Sequence, residues 1–210
     1  MIPGEPPPEI PMPGVPPERP APPPTPTVAW PTPDDRDDDL DARLRRDRRL
    51  LVRGPLDDDA CTHAAAELML LDGTSADPVE LLISSDGGPV EAVMGLLDVL
   101  ALMRAPVDTR CIGSATGTAA VLLASGTRSR VAGPAARLSF RVADHYDVSG
   151  TATDLALRAD EARLARERLA EHFATVTRLS TAQAHDALDH GEMLAPQEAL
   201  EAGVIDRIAR

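Results

Sequence analysis

Aromatic side chains are nearly missing from this sequence: two Phe, one Tyr and one Trp in 210 residues. A core must therefore be assembled from Leu, Val, Ile and Ala, and a hydrophobic share of 43% is ordinary for a globular domain. A basic surplus is missing too. The net charge of −13 argues against nucleic acid, whose phosphates need a basic face, and against an anionic membrane surface. Cysteine is scarce. Cys61 and Cys111 form no CxxC pair and neither lies near a histidine at zinc spacing, so neither a metal site nor a disulfide framework is expected. No apolar run is long enough to span a bilayer, and no basic stretch followed by an apolar one opens the chain. The expectation is a soluble cytoplasmic protein with no membrane partner. GxGxxG and GxxxxGK[ST] loops are absent as well, so no cofactor and no intrinsic ATP hydrolysis are expected.

Proline, by contrast, is abundant, and it is concentrated from MIPGEPPPEI to WPTP. That composition cannot bury enough surface to offset chain entropy, so residues 1–33 read as a polyproline-II spacer with Trp30 near its end. DDRDDDLDARLRRDRR, residues 34–49, passes from an acidic to a basic block and reads as solvated or weakly helical. The expected division is a tail over 1–49 and one folded domain over 50–210.

From residue 50 onward strands and helices alternate, the pattern of an α/β fold. The spacing predicts strands over 50–52, 79–83, 107–112, 130–132, 137–141 and 204–208. Helices are expected over 59–71, capped by Asp57 or Asp58, and over 90–103, 117–124 and 153–179. The apolar side of the 153–179 helix is marked by Leu155, Leu164, Leu169, Phe173 and Val176. Ser180 and Gln183 form a capping box for a helix reaching His190, and Pro196 opens a short one ended by Gly203.

The chain is organised around CIGSATGTAAVLLASG, residues 111–126. It reads as a buried strand end, a tight turn and the apolar start of a helix. A strand-to-helix turn of this kind presents the nucleophile in several hydrolase folds. At its apex stands Gly117, which has no side chain to attack with.

SDGGPV, GSATGTAAVLLASG, the ARLSF strand, the long helix and the closing APQEALEAGVID agree in order and spacing with one family. Over 50–210 the chain resembles the ClpP family, the proteolytic subunit of the ATP-dependent Clp protease. The resemblance implies a crotonase-type spiral of ββα units with a long handle helix, assembled as heptameric rings stacked through those helices. It also implies a Ser–His–Asp triad facing the chamber. The serine of the family's G-x-A-x-S-M-G turn is Gly117 here. The position of its histidine, after the ARLSF strand, holds Arg141, and that of its aspartate holds Gly191. The oxyanion donors carried over are the backbone N–H groups of Gly88 and Thr118.

Glycine supplies no attacking atom, and arginine stays protonated and cannot serve as the base. The expected function is thus a non-catalytic subunit that assembles with itself or with active ClpP paralogues. Two alternatives stand beside it. One is an active serine endopeptidase with a displaced nucleophile, drawing on Ser114, Thr116 or Thr118 with His145 or His190 approaching. The other is a crotonase-fold protein binding an acyl-thioester at the oxyanion site. His63, His172 and His185 fall on expected helices and read as bland, and Arg141 is expected to pair with Asp189 or Glu192. The family's AAA+ unfoldase docks in apolar pockets that include two alternating Tyr. Their positions here hold Glu80 and Leu82, and a carboxylate there works against an apolar loop. The Pro-rich tail takes the place of the family's short axial loop.

Overall fold

The computed structural model describes residues 33–142 and 150–209. The polyproline tail with Trp30, and the loop carrying His145, lie outside the described residues. Helix α1 (Pro33–Arg46) covers most of the acidic-to-basic stretch, where solvated or weakly helical chain was expected. Its basic last turn complements the helix dipole, and Arg45 pairs with the mostly buried Glu67 of the next helix at 2.5 Å.

Strand β1 (Arg49–Arg53) pairs in parallel with β2 (Val79–Ser85) across helix α2 (Asp58–Thr74). Asp57 caps α2 by accepting from the Ala60 N–H at 2.8 Å. The helix runs through Gly73 to Thr74, past the expected end at Leu71, because the Thr74 hydroxyl bonds back to Leu71 O within the last turn. Helix α3 (Val90–Leu102) leads to β3 (Val107–Thr116), and α4 (Thr118–Ala124) leads to β4 (Ser129–Ala132). Strand order is β1-β2-β3-β4-β7, all parallel, with β7 reduced to Arg207–Ile208. Val204 and Ile205 of the expected last strand are instead buried in the turn before it.

Strand β3 is longer than the expected 107–112, and its second half positions the site. It pairs with β4 through Cys111, then bulges over Ile112–Ser114 with Gly113 at φ 81. Beyond the bulge it pairs with β5 (Arg137–Ser139) through Ser114–Thr116. The extra residues re-aim the strand end. Strand β5 stops at Ser139, two residues before the expected end, and β6 (Met193–Leu194) runs antiparallel beside it.

Helix α5 (Ala152–Val176) is the long helix, and only its C-terminal half is fixed in the core. Leu169, Ala170 and Phe173 are buried, while Leu155 and Leu164 are 41% and 45% exposed. The expected continuous apolar side is therefore divided, with a free half and a packed half. It ends at Val176, where the C-cap residue Thr177 donates its hydroxyl to Phe173 O. Helix α6 (Thr181–His190) carries the Ser180–Gln183 capping box, and α7 (Pro196–Glu201) starts on its proline. The core holds the expected aliphatic residues and, among the described residues, one aromatic contact, Phe140 on Phe173 with ring centroids 5.0 Å apart. No helix among the described residues is long and apolar enough to cross a membrane.

Candidate functional site

The site forms where β2, β3 and β5 end. Gly117 stands between β3 and α4 with φ 55 and ψ −128, a conformation that side chains other than hydrogen rarely adopt. Its N–H donates to Ser139 O at 2.8 Å, which fixes the turn against the end of β5. A Cβ at 117 would meet Arg141 O at 3.2 Å and the Val142 Cα at 3.7 Å. A Cβ at 191 would lie 3.4 Å from the Arg141 N. The backbone of Arg141 thus lies between Gly117 and Gly191, and three positions spread over 75 residues of chain meet in one place.

Gly191 follows α6 and donates its N–H to Ala187 O at 2.9 Å. Its dihedrals (φ −52, ψ 130) are ordinary, but a Cβ there would stand 2.2 Å from the same carbonyl oxygen. Only glycine fits. Arg141 is exposed and makes no side-chain hydrogen bond or ion pair among the described residues. The expected pairing with Asp189 or Glu192 is corrected by the structure: Arg166 of α5 takes Asp189 at 2.7 Å and also donates to Val142 O at 3.3 Å. Val142 donates its own N–H to Leu188 O at 2.9 Å.

Opposite the elbow, the turn Asp86–Pro89 brings two glycines close. Gly87 has φ 86, and a Cβ on Gly88 would stand 2.1 Å from Leu56 O. The Gly88 N–H does not point into open space. It donates to Thr118 Oγ1 at 2.9 Å, and that hydroxyl donates back to Gly88 O at 3.1 Å. Thr118 is 1% exposed. Of the two backbone donors named from the sequence, the Gly88 N–H is therefore already occupied by the side chain of Thr118.

The candidate stand-ins are scattered. Neither Ser114 nor Thr116 bonds a histidine among the described residues. His190 is exposed and pairs along its own helix with Asp186 at 3.3 Å. Among the described residues one serine–histidine contact lies elsewhere, Ser125 Oγ to His172 Nε2 at 2.8 Å, but Ser125 also donates to Val121 O as the C-cap of α4. No sequence signal marks that contact across 47 residues. Burial lowers the His172 pKa, opposed by the charge of Asp98. Burial also raises both thiols, Cys61 and Cys111, to about 11, so neither is a nucleophile near neutral pH.

The family model of Clp protease matches residues 33–210. The chain belongs to the Clp protease family. The match takes in α1, upstream of the expected start at residue 50. The chain is also similar to the ATP-dependent Clp protease proteolytic subunit 2 of Corynebacterium jeikeium (strain K411), with 32% identity over 168 residues, 79% of this chain and 80% of that protein.

Proposed function

We propose that this chain is a non-catalytic ClpP-type subunit, a structural or regulatory partner in a Clp protease assembly. One observation carries the reading: the elbow keeps a positive-φ turn at Gly117, which glycine adopts without strain, while the adjoining positions, Arg141 and Gly191, supply neither base nor orienting acid. A triad works as a unit, and its loss costs about a millionfold in rate in the subtilisin precedent. An acyl-thioester role at the oxyanion site is disfavoured by the Thr118 hydroxyl, which holds the Gly88 N–H that a thioester oxygen would need. A displaced nucleophile is disfavoured because the Thr118 hydroxyl is itself spent on Gly88 O.

The subunit joins a ring, heptameric by resemblance, made of its own copies or of these together with active paralogues in the cytoplasm. An AAA+ unfoldase grips it less well than it grips an active paralogue. The support is Glu80, whose carboxylate is held by Arg49 at 2.8 Å and Arg110 at 2.7 Å where an apolar loop would dock. The test is hydrolysis of a fluorogenic peptide by the purified chain, alone and after co-expression with an active paralogue, with native mass of the products. The expected result is no turnover and no labelling by a serine-reactive probe alone, and mixed rings after co-expression. Turnover by the chain alone, abolished by Thr116→Val, overturns the reading.

A further inference from the structure

A groove of about 660 Å³ runs between α6 and α7, and β6 contributes to its base. Its floor is apolar. Phe140 is 3% exposed there, and Leu179, Ala187 and Leu194 are partly buried against the core. Ala182, Asp186 and His190 recur every fourth residue along the α6 wall, so the groove follows that helix for about 12 Å. None of its lining residues belongs to the strand face of Glu80 and Leu82.

The rim is acidic and its charge is unmatched. Asp186 and Glu198 stand on the two helical walls and Glu192 beside β6, and among the described residues no arginine or lysine lines the groove. The one basic group there, His190, already bonds Asp186 at 3.3 Å. Glu198 accepts the Ala195 N–H at 2.7 Å at the start of α7. Glu192 is exposed and makes no hydrogen bond or ion pair among the described residues. An apolar trough with a surplus of carboxylates suits an aliphatic side chain flanked by cations. The chain's own basic block does not supply them. Arg45 is held by Glu67, Arg48 by the carbonyls of Leu71, Ser75 and Asp77, and Arg49 by Glu80.

We propose that this groove binds a basic segment of a partner protein, in extended form, with aliphatic side chains on Phe140 and Leu194 and a cation on Glu192. At about 3.3 Å per residue, about four residues of such a segment lie along 12 Å of α6. Alternate side chains point to opposite sides of an extended chain, so aliphatic residues meet the floor while the cations between them stay at the rim. The inference does not rest on the catalytic reading. It uses the carboxylates and apolar surface of α6, β6 and α7, and it is read by binding rather than by turnover.

The test uses the full chain and a fluorescein-labelled hexapeptide of alternating Arg and Leu, read by anisotropy. The same peptide with Gln for Arg, and the same peptide with Ser for Leu, are the comparisons. Saturable binding of the Arg–Leu peptide is expected, about tenfold weaker at 300 mM than at 50 mM salt. Each comparison peptide, lacking either the cations or the aliphatic side chains, is expected to bind at least about tenfold more weakly. Glu192→Gln removes no internal contact and is expected to weaken binding about fivefold, while Glu201→Gln, exposed on α7 outside the groove, leaves it unchanged. Equal binding of either comparison peptide, an unchanged affinity in Glu192→Gln, or an equal loss in Glu201→Gln overturns the proposal. So does a loss of self-association in Glu192→Gln by sedimentation, which would assign the groove to a second copy of this chain.

Discussion

On the ClpP resemblance, replacing Gly191 by aspartate would return a carboxyl to the position assigned to the family's triad acid, and the structure leaves no room for it. The Cβ alone would approach Ala187 O to 2.2 Å, about 0.8 Å inside the 3.0 Å separation that Cβ atoms in proteins do not cross. The neighbour is backbone, so no side-chain rotation relieves the contact. The last turn of α6 has to open, and the Gly191 N–H bond to Ala187 O goes with it. A lost backbone hydrogen bond costs about 1 kcal/mol and overpacking about 1–3 kcal/mol, which gives a loss of about 2–4 kcal/mol. For a domain of this size that corresponds to a fall in Tm of roughly 4–16 °C. Gly191→Ala separates the steric part from the charge and is expected to account for most of the loss. Gly95→Ala supplies the opposite control. Its Cβ meets nothing within 4 Å in the interior of α3, and the substitution is expected to stabilise by about 0.5–1 kcal/mol. Thermal denaturation followed by far-UV circular dichroism reads all three. If Gly191→Ala melts within about 1 °C of the parent, α6 yields without cost and the reasoning fails.

Arg130→Ala should be among the most damaging substitutions. Its guanidinium is mostly buried, holds Val176 O, Gly203 O and the Asp206 carboxylate, and so joins the ends of α5 and α7 to β7; a loss of about 3–5 kcal/mol in urea unfolding is expected, with Lys a poor rescue. Hydrogen bonds from Arg130 also hold the Asp206 carboxyl below its usual range, so the stability it contributes is present above about pH 3.9 and lost as pH falls below that; Arg130→Ala should flatten this acid limb. His172 works in the other acid window: its lowered pKa makes stability fall as pH drops below the ordinary histidine value of about 6.5 and level off beneath the folded value, and His172→Gln should remove that slope in melts from pH 5 to 8. Cys61 and Cys111, buried and with thiols raised to about 11, should resist iodoacetamide at neutral pH in the folded chain and react in guanidinium chloride; rapid labelling of the folded protein contradicts their burial.

Much of the fold is legible because the relevant signals are local. The caps at Asp57 and Ser180, the compact apolar strand Val79–Ile83 and the proline opening α7 are each set by neighbours in sequence. The elbow is legible for the same reason, as strand, glycine and apolar helix lie side by side. What escaped depends on distant partners. The divided apolar side of α5 cannot be read from its periodicity, because Leu155 and Leu164 repeat as regularly as Leu169 and Phe173 while only the latter meet the core. The Arg166–Asp189 pair joins α5 to α6 across 23 residues, which no spacing encodes. The Thr118 hydroxyl on Gly88 joins two turns 30 residues apart, and only the fold brings them within 3 Å.

These details also bear on why the elbow has glycine at its apex. A non-glycine residue at φ 55, ψ −128 carries strain of order 1–3 kcal/mol, and a nucleophile is the usual reason to retain it. With Gly117 the same backbone turn persists without that strain, held by the bond to Ser139 O. The Thr118 hydroxyl satisfies a buried N–H that would otherwise wait for substrate, and an unsatisfied donor of that kind costs about 1–3 kcal/mol. Glycine at 191 lets α6 close against its own carbonyl. On the proposed reading, each departure from the family's triad removes a local cost of catalysis, and together they favour a rigid subunit over a reactive one. Gly117→Ser is accordingly expected to lower stability by about 1–3 kcal/mol and to produce no peptidase activity, because neither Arg141 nor Gly191 supplies the rest of the unit. Measurable turnover in that single variant would show that the remaining groups suffice, and the account of a dismantled site would have to be abandoned.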